Sequence, residues 1–181
     1  MDAGAAAYRK FIDGDDEGMV ELVTQYKDGL LLYLTGLVHD ISLAEELTED
    51  TFFKLLVKKP RYRESGSFKA WLYAIARNIA RDEWRRRSHL TELSREQEGE
   101  LQSLEQSYLS RQDQLTVRRC MKNLSETYQQ VLWLKIFEEF SNAEIAKIMG
   151  KTCRQVEMLV YRAKQSLKAE LTEEGFFDED Q

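Results

Sequence analysis

The sequence predicts an all-α protein built as two small helical domains joined by a flexible linker. Three observations carry that prediction. Apolar residues recur at i, i+3, i+4 and i+7 along most of the chain, and no alternating, strand-like run or internal repeat interrupts them. One proline, Pro60, stands among 181 residues, which suits helices because proline breaks them. Residues 88–114, rich in Ser, Glu and Gln, lack an apolar stripe and separate two periodic regions. The boundaries follow as a first helical domain over 8–87, the linker over 88–114, a second domain over 115–172 and an acidic tail over 173–181.

The elements can be taken in order. Residues 16–38 place Val20, Val23, Tyr26, Leu30, Leu34 and Leu37 at helical spacing. Ser42 with Glu45 reads as a capping box that opens a helix running to about Lys58, ended by Pro60. Leu47, Phe52, Leu55 and Leu56 are its expected core residues, with Glu45, Glu46, Glu49 and Asp50 outward. The stretch RYRESGS is a polar loop. The next helix, 68–87, carries a core stripe of Phe68, Trp71, Leu72, Ile75 and Ile79. A second stripe, Lys69, Tyr73, Arg77, Arg81 and Arg85, falls at i+4 spacing beside Asn78 and Trp84, and is expected to be exposed. Cations next to rings suit a nucleic-acid strand, since guanidinium groups hold phosphates and flat rings stack on bases. Arg61, Tyr62 and Arg63 add the same chemistry. A solvated basic face is the plain alternative.

From Leu115 a second unit begins, with Leu124, Tyr128, Val131, Leu132, Leu134 and Ile136 as its apolar positions. Residues 141–168 read as a helix-turn-helix. Ser141 and Glu144 form a capping box, Ile145, Ala146, Ile148 and Met149 a short buried face, and Gly150 the turn. Thr152 can cap the second helix, whose Val156, Leu159, Val160, Ala163 and Leu167 face a core. Arg154, Gln155, Met158, Tyr161, Arg162 and Gln165 lie opposite. Such a helix fits the major groove; a helical hairpin that binds nothing is the alternative.

A net charge of −6 looks unfavourable for DNA binding until it is read by segment. Residues 1–60 sum to −6, 61–91 to +5, 92–115 to −4 and 116–181 to −1. Phosphate attraction acts over about a Debye length, ~8 Å, so the basic block outweighs the total. Cys120 and Cys153 have no CxxC or His-spaced partner and read as reduced thiols of a cytoplasmic protein, and His39 and His89 make no metal site. No apolar run spans a bilayer, and MDAGAAAYRKF is no signal peptide. With no paired carboxylates, triad or phosphate loop, an enzyme is not expected, and no cofactor is called for.

Three runs then carry a resemblance: AEELTEDTFFKLL, FKAWLYAIARNIARDEWRRR, and LSETYQQVLWLKIFEEFSNAEIAKIMGKTCRQVEMLVYRAKQSLK. Over roughly residues 8 to 172 the chain resembles a bacterial RNA polymerase sigma factor of the extracytoplasmic-function (ECF) class of the sigma-70 family. The resemblance implies sigma region 2 over 8–87 and sigma region 4 over 115–172. It implies docking on core RNA polymerase, at the β′ clamp helices through Glu45, Glu46, Glu49, Asp50 and Phe53, and at the β-flap through region 4. It implies minus-ten promoter DNA contacts by Arg61, Arg63, Lys69, Tyr73, Arg77, Asn78, Arg81 and Arg85, with one flipped-out base held between Arg63 and Phe68 near Asn78. It implies minus-thirty-five contacts by Lys151, Thr152, Arg154, Gln155, Met158, Tyr161 and Arg162, and an anti-sigma factor as a partner. Met158 and Leu159 depart from the family's small polar residue and Arg, and Glu157 from its Lys. Arg154, Gln155 and Tyr161 are therefore the expected base readers, with Lys151 and Arg162 on phosphates. The function implied is promoter-specific transcription initiation. A stand-alone helix-turn-helix regulator and a helical adaptor that binds no DNA are the other readings.

Overall fold

The computed structural model describes residues 2–63, 66–90 and 111–175, and all regular structure among them is helical. The first element, α1 (Ala3–Ile12), was not expected from periodicity. Asp2 caps it: its Oδ1 accepts from the Gly4 and Ala5 N–H groups at 3.0 and 3.3 Å. Small residues make α1 a close-packing helix, with Gly4, Ala5, Ala7, Tyr8 and Phe11 buried. Its partner α2 (Glu17–Val38) approaches so tightly at Gly18 that a Cβ there would meet the Ala7 carbonyl oxygen at 2.3 Å. The crossing therefore requires glycine.

Helix α3 (Ile41–Lys58) is capped by Asp40, whose side chain accepts from the Leu43 N–H at 3.0 Å. This corrects the expected start at Ser42, which lies exposed in the first turn. A carboxylate is an equally good cap and stands at the position where the backbone turns extended, φ −141°. Leu47, Phe52 and Leu55 are buried as expected, but Leu56 is 46% exposed. The core side is completed instead by Thr48 and Thr51, whose hydroxyls donate to the Ala44 and Leu47 carbonyls at 2.7 Å. Lys59, in the left-handed conformation, closes the helix just before Pro60.

Helix α4 (Phe68–Leu90) starts under two caps. Ser67 Oγ accepts from the Ala70 N–H at 3.0 Å, and Asp2 Oδ2 accepts from the Phe68 N–H at 2.6 Å. One side chain, Asp2, thus sets the starts of both α1 and α4. Tyr8, Tyr62, Phe68 and Trp71 cluster behind this joint, with ring centroids 5.2–5.5 Å apart.

The second half begins at α5 (Arg111–Lys122), before the predicted Leu115. Then come α6 (Glu126–Leu132), a π-helical turn (Trp133–Phe137), α7 (Asn142–Met149) and α8 (Cys153–Glu173). The capping box of Ser141 and Glu144 is present, and Gly150 takes φ 63° at the turn. The two halves pack together, α4 against α7 and α2 against α6.

Candidate nucleic-acid interface

The helix-turn-helix places α8 as the sequence predicts. Val156, Val160, Ala163 and Leu167 are buried and Leu159 is half-buried. Lys151, Thr152, Arg154, Gln155, Met158, Tyr161 and Arg162 are all exposed. Arg154, Met158, Tyr161 and Arg162 fall at i, i+4, i+7 and i+8, one face of a helix. Thr152 and Gln155 have a second task. Gln155 Oε1 accepts from the Thr152 N–H at 2.9 Å while Thr152 Oγ1 accepts from the Gln155 N–H at 3.2 Å, a reciprocal cap. Gln155 is therefore a less free base reader than its position suggests, and Arg154 and Tyr161 stand foremost. Cys153, the first residue of α8, is exposed beside them, whereas Cys120 is buried.

The basic helix α4 divides into two parts. Arg61, Arg63, Asn78, Arg81 and Arg85 are exposed, with Trp84 standing out 68% exposed beside them. Lys69, Tyr73 and Arg77 are not free, which corrects the expectation of an exposed stripe. Tyr73 is 1% exposed, its ring between Tyr33 and Phe140 at centroid distances of 5.2 and 5.3 Å. Burial, reinforced by the negative charge of Glu138 and the hydrogen bond that the Tyr73 hydroxyl donates to its carboxylate, drives the Tyr73 pKa far above the usual phenol value. Lys69 Nζ pairs with Glu138 Oε2 at 2.8 Å and donates to the Glu138 carbonyl at 3.3 Å. Arg77 Nε reaches Gln130 Oε1 at 3.5 Å. Helical spacing correctly puts the three residues on one face. It does not say that Glu138, Phe140 and Gln130, some sixty residues on, cover that face.

On α3, packed beside α4, Glu45, Glu46, Glu49, Asp50 and Phe53 are all exposed, with Glu46 Oε2 3.9 Å from the Arg87 guanidinium of α4. Phe53 is 61% exposed, and Leu56 and Val57 beside it are 46% and 53% exposed. Leu56 and Val57, missed by sequence reasoning, turn an acidic helix face into an apolar patch with an acidic border. Such patches mark interaction sites. No described helix is long and apolar enough to cross a membrane.

Comparison with known proteins fits this arrangement domain by domain. Residues 22–90 match sigma-70 region 2 and residues 114–167 match sigma-70 region 4. The chain belongs to the sigma-70 family of RNA polymerase sigma factors. This sigma factor is 33% identical over 162 residues to the RNA polymerase sigma factor YlaC of Bacillus subtilis, covering 86% of the chain and 93% of YlaC. It is 29% identical over 162 residues to the ECF RNA polymerase sigma factor BldN of Streptomyces coelicolor, covering 85% of the chain and 60% of BldN. Its fold is that of the sigma factor RpoE of Bartonella quintana, solved with the anti-sigma factor NepR. That likeness has a TM-score of 0.71 at 21% identity and covers 84% of this chain and 95% of the other. The sigma factor is accordingly of the ECF class, and it directs transcription initiation by RNA polymerase at promoters.

Proposed function

We propose that the sigma factor divides its task among three surfaces. The acid-bordered patch of α3, with Glu45, Glu46, Glu49, Asp50 and Phe53, docks on the β′ clamp helices of core polymerase, and region 4 seats on the β-flap. Arg61, Arg63, Asn78, Arg81 and Arg85, joined by Lys69, Tyr73 and Arg77 once the domains part, contact and melt the minus-ten element. Arg154, Met158 and Tyr161 of α8 read the minus-thirty-five element, with Lys151 and Arg162 on phosphates and Thr152 and Gln155 holding the helix start. The first domain runs from α1 through α4 and the second from α5 through α8, and the protein works in the cytoplasm without catalysing a reaction itself.

The observation that carries this reading is the pairing of exposed arginines on two helices, Arg81 and Arg85 on α4 and Arg154 and Arg162 on α8, with an acid-bordered apolar patch on a third. Bases are held only after leaving the stack, at a cost of a few kcal/mol that contacts must offset. An anti-sigma factor is the fitting regulator, since the structurally similar RpoE was solved with one. In-vitro transcription with core polymerase on genomic fragments, followed by start-site mapping, tests the whole reading. Specific starts dependent on the protein support it. Sequence-specific DNA binding by the free protein, with no polymerase-dependent starts, would replace it with a stand-alone regulator.

A further inference from the structure

A cavity of about 520 Å³ lies where the two domains meet. Its walls come from the end of α2, from α5, and from α6 with the π-helical turn. Most of the lining is apolar, including Leu32, Leu37, Met121 and Trp133. Its charged residues are Arg118, Arg119 and Lys122, with no Asp or Glu among the lining residues, although the chain as a whole carries −6. Arg119 is already paired with Glu174 at 3.0 Å. Arg118 is not: among the described residues its guanidinium has only the faces of Trp133 and Phe137, at 5.5 and 5.4 Å. Among the described residues its Nε has no acceptor; the Trp133 Nε1–H and the Tyr33 hydroxyl also lack one but are closed off within the packing, the latter toward Arg77 and Glu138. Burial lowers the Arg118 pKa, and no carboxylate among the described residues offsets it. A partly desolvated cation on the wall of an apolar chamber, with no Asp or Glu among the lining residues, favours an anionic ligand.

We propose that this interdomain cavity binds a small amphipathic anion, an apolar tail bearing one carboxylate, with the Arg118 guanidinium holding the carboxylate and Lys122 on the same wall adding positive charge. The volume suits such a ligand, since small-molecule sites commonly span ~300–1,000 Å³ and are mostly apolar with a few placed polar groups. The cavity needs walls from both domains. A ligand there binds only the closed chain, and by linkage it favours the arrangement in which Tyr73 is covered.

The test uses the full chain with decanoate as probe and 1-decanol as its uncharged counterpart. The indole N–H signals of the three tryptophans are followed by NMR, with Trp133→Phe assigning the relevant one. Decanoate is expected to shift the Trp133 signal saturably. Decanol is expected to bind at least tenfold more weakly, and added salt to weaken decanoate but not decanol. Arg118→Gln should lose at least tenfold in decanoate affinity while Arg118→Lys keeps most of it. No shift with decanoate, or equal binding of acid and alcohol, overturns the proposal. The comparison of the two probes on the native chain decides the matter even where a variant fails to fold, and it involves neither DNA nor polymerase.

Discussion

Tyr73 shows how one side chain can belong to two surfaces. Its ring fills a slot between Tyr33 and Phe140, and its hydroxyl donates to Glu138. Tyr73→Phe keeps the ring and removes a hydrogen bond to a charged group, a loss of about 1.5–3 kcal/mol. Urea unfolding should register it, and an unchanged midpoint would remove Tyr73 from the seam's energetics. A pKa raised by folding means that the closed form is fully stable below the ordinary phenol range, near 10, and loses stability as pH climbs above it. Absorbance titration at alkaline pH should therefore show late-ionising tyrosines whose ionisation coincides with loss of the closed form. Arg154 is the contrasting case, legible in sequence because its exposure depends only on α8's own periodicity. Arg154→Ala should cost about 1–3 kcal/mol of promoter affinity and relax the selected sequence at one or two base pairs. Selection from a randomised minus-thirty-five element would show this, and an unchanged motif would shift the reading role to Tyr161. The cover of Tyr73, Phe140, lies outside its own helix, so periodicity within α4 does not reveal it.

Among the elements, those whose signals are local were read well. Ser141 with Glu144 marks the start of α7 and Thr152 the start of α8; the structure has both caps, and it adds Gln155 to the second as a box partner that the sequence pattern assigns to DNA instead. Ser141→Ala should cost about 1 kcal/mol of stability, measured by thermal or urea unfolding, and no change would mean that α7 is held by packing alone. Helix α3 was read less well at its ends and edges. Asp40 rather than Ser42 caps it, and Leu56 faces out because α3's inward stripe is shared with threonines that satisfy their own hydroxyls. Helix α1 escapes a reading by large apolar residues because its buried face is mostly Gly4, Ala5 and Ala7, and its close packing depends on Gly18 across the crossing. For the proposed docking patch, Glu46→Lys with Asp50→Lys should weaken association with core polymerase while leaving the fold intact, because both side chains are exposed. Fluorescence anisotropy with labelled protein and circular dichroism would read the two halves of that expectation; equal affinity would assign core binding elsewhere.

For the whole molecule, the division into two helical domains was legible, and the way they close on one another was not. Periodicity within α4 cannot encode a contact between Lys69 and Glu138, which depends on the tertiary return of a distant segment. Glu138→Lys places like charges at that contact and should open the chain, raising the radius of gyration seen by small-angle scattering. The double variant Lys69→Glu with Glu138→Lys should restore the compact form. Failure to do so would show that the Tyr73 hydroxyl's bond to Glu138, which a lysine cannot accept, matters more than the ion pair, and an unopened Glu138→Lys would leave closure to the aromatic packing. The covered seam also has a kinetic meaning. A face that must uncover before it can bind makes the population of the open form a multiplier on affinity. If about 1% of molecules were open, affinity at the Tyr73 face would be reduced roughly a hundredfold. Association through that face would then stop accelerating as partner concentration rises and settle at the rate of opening, so the clock for this step would be set inside the protein rather than by encounter.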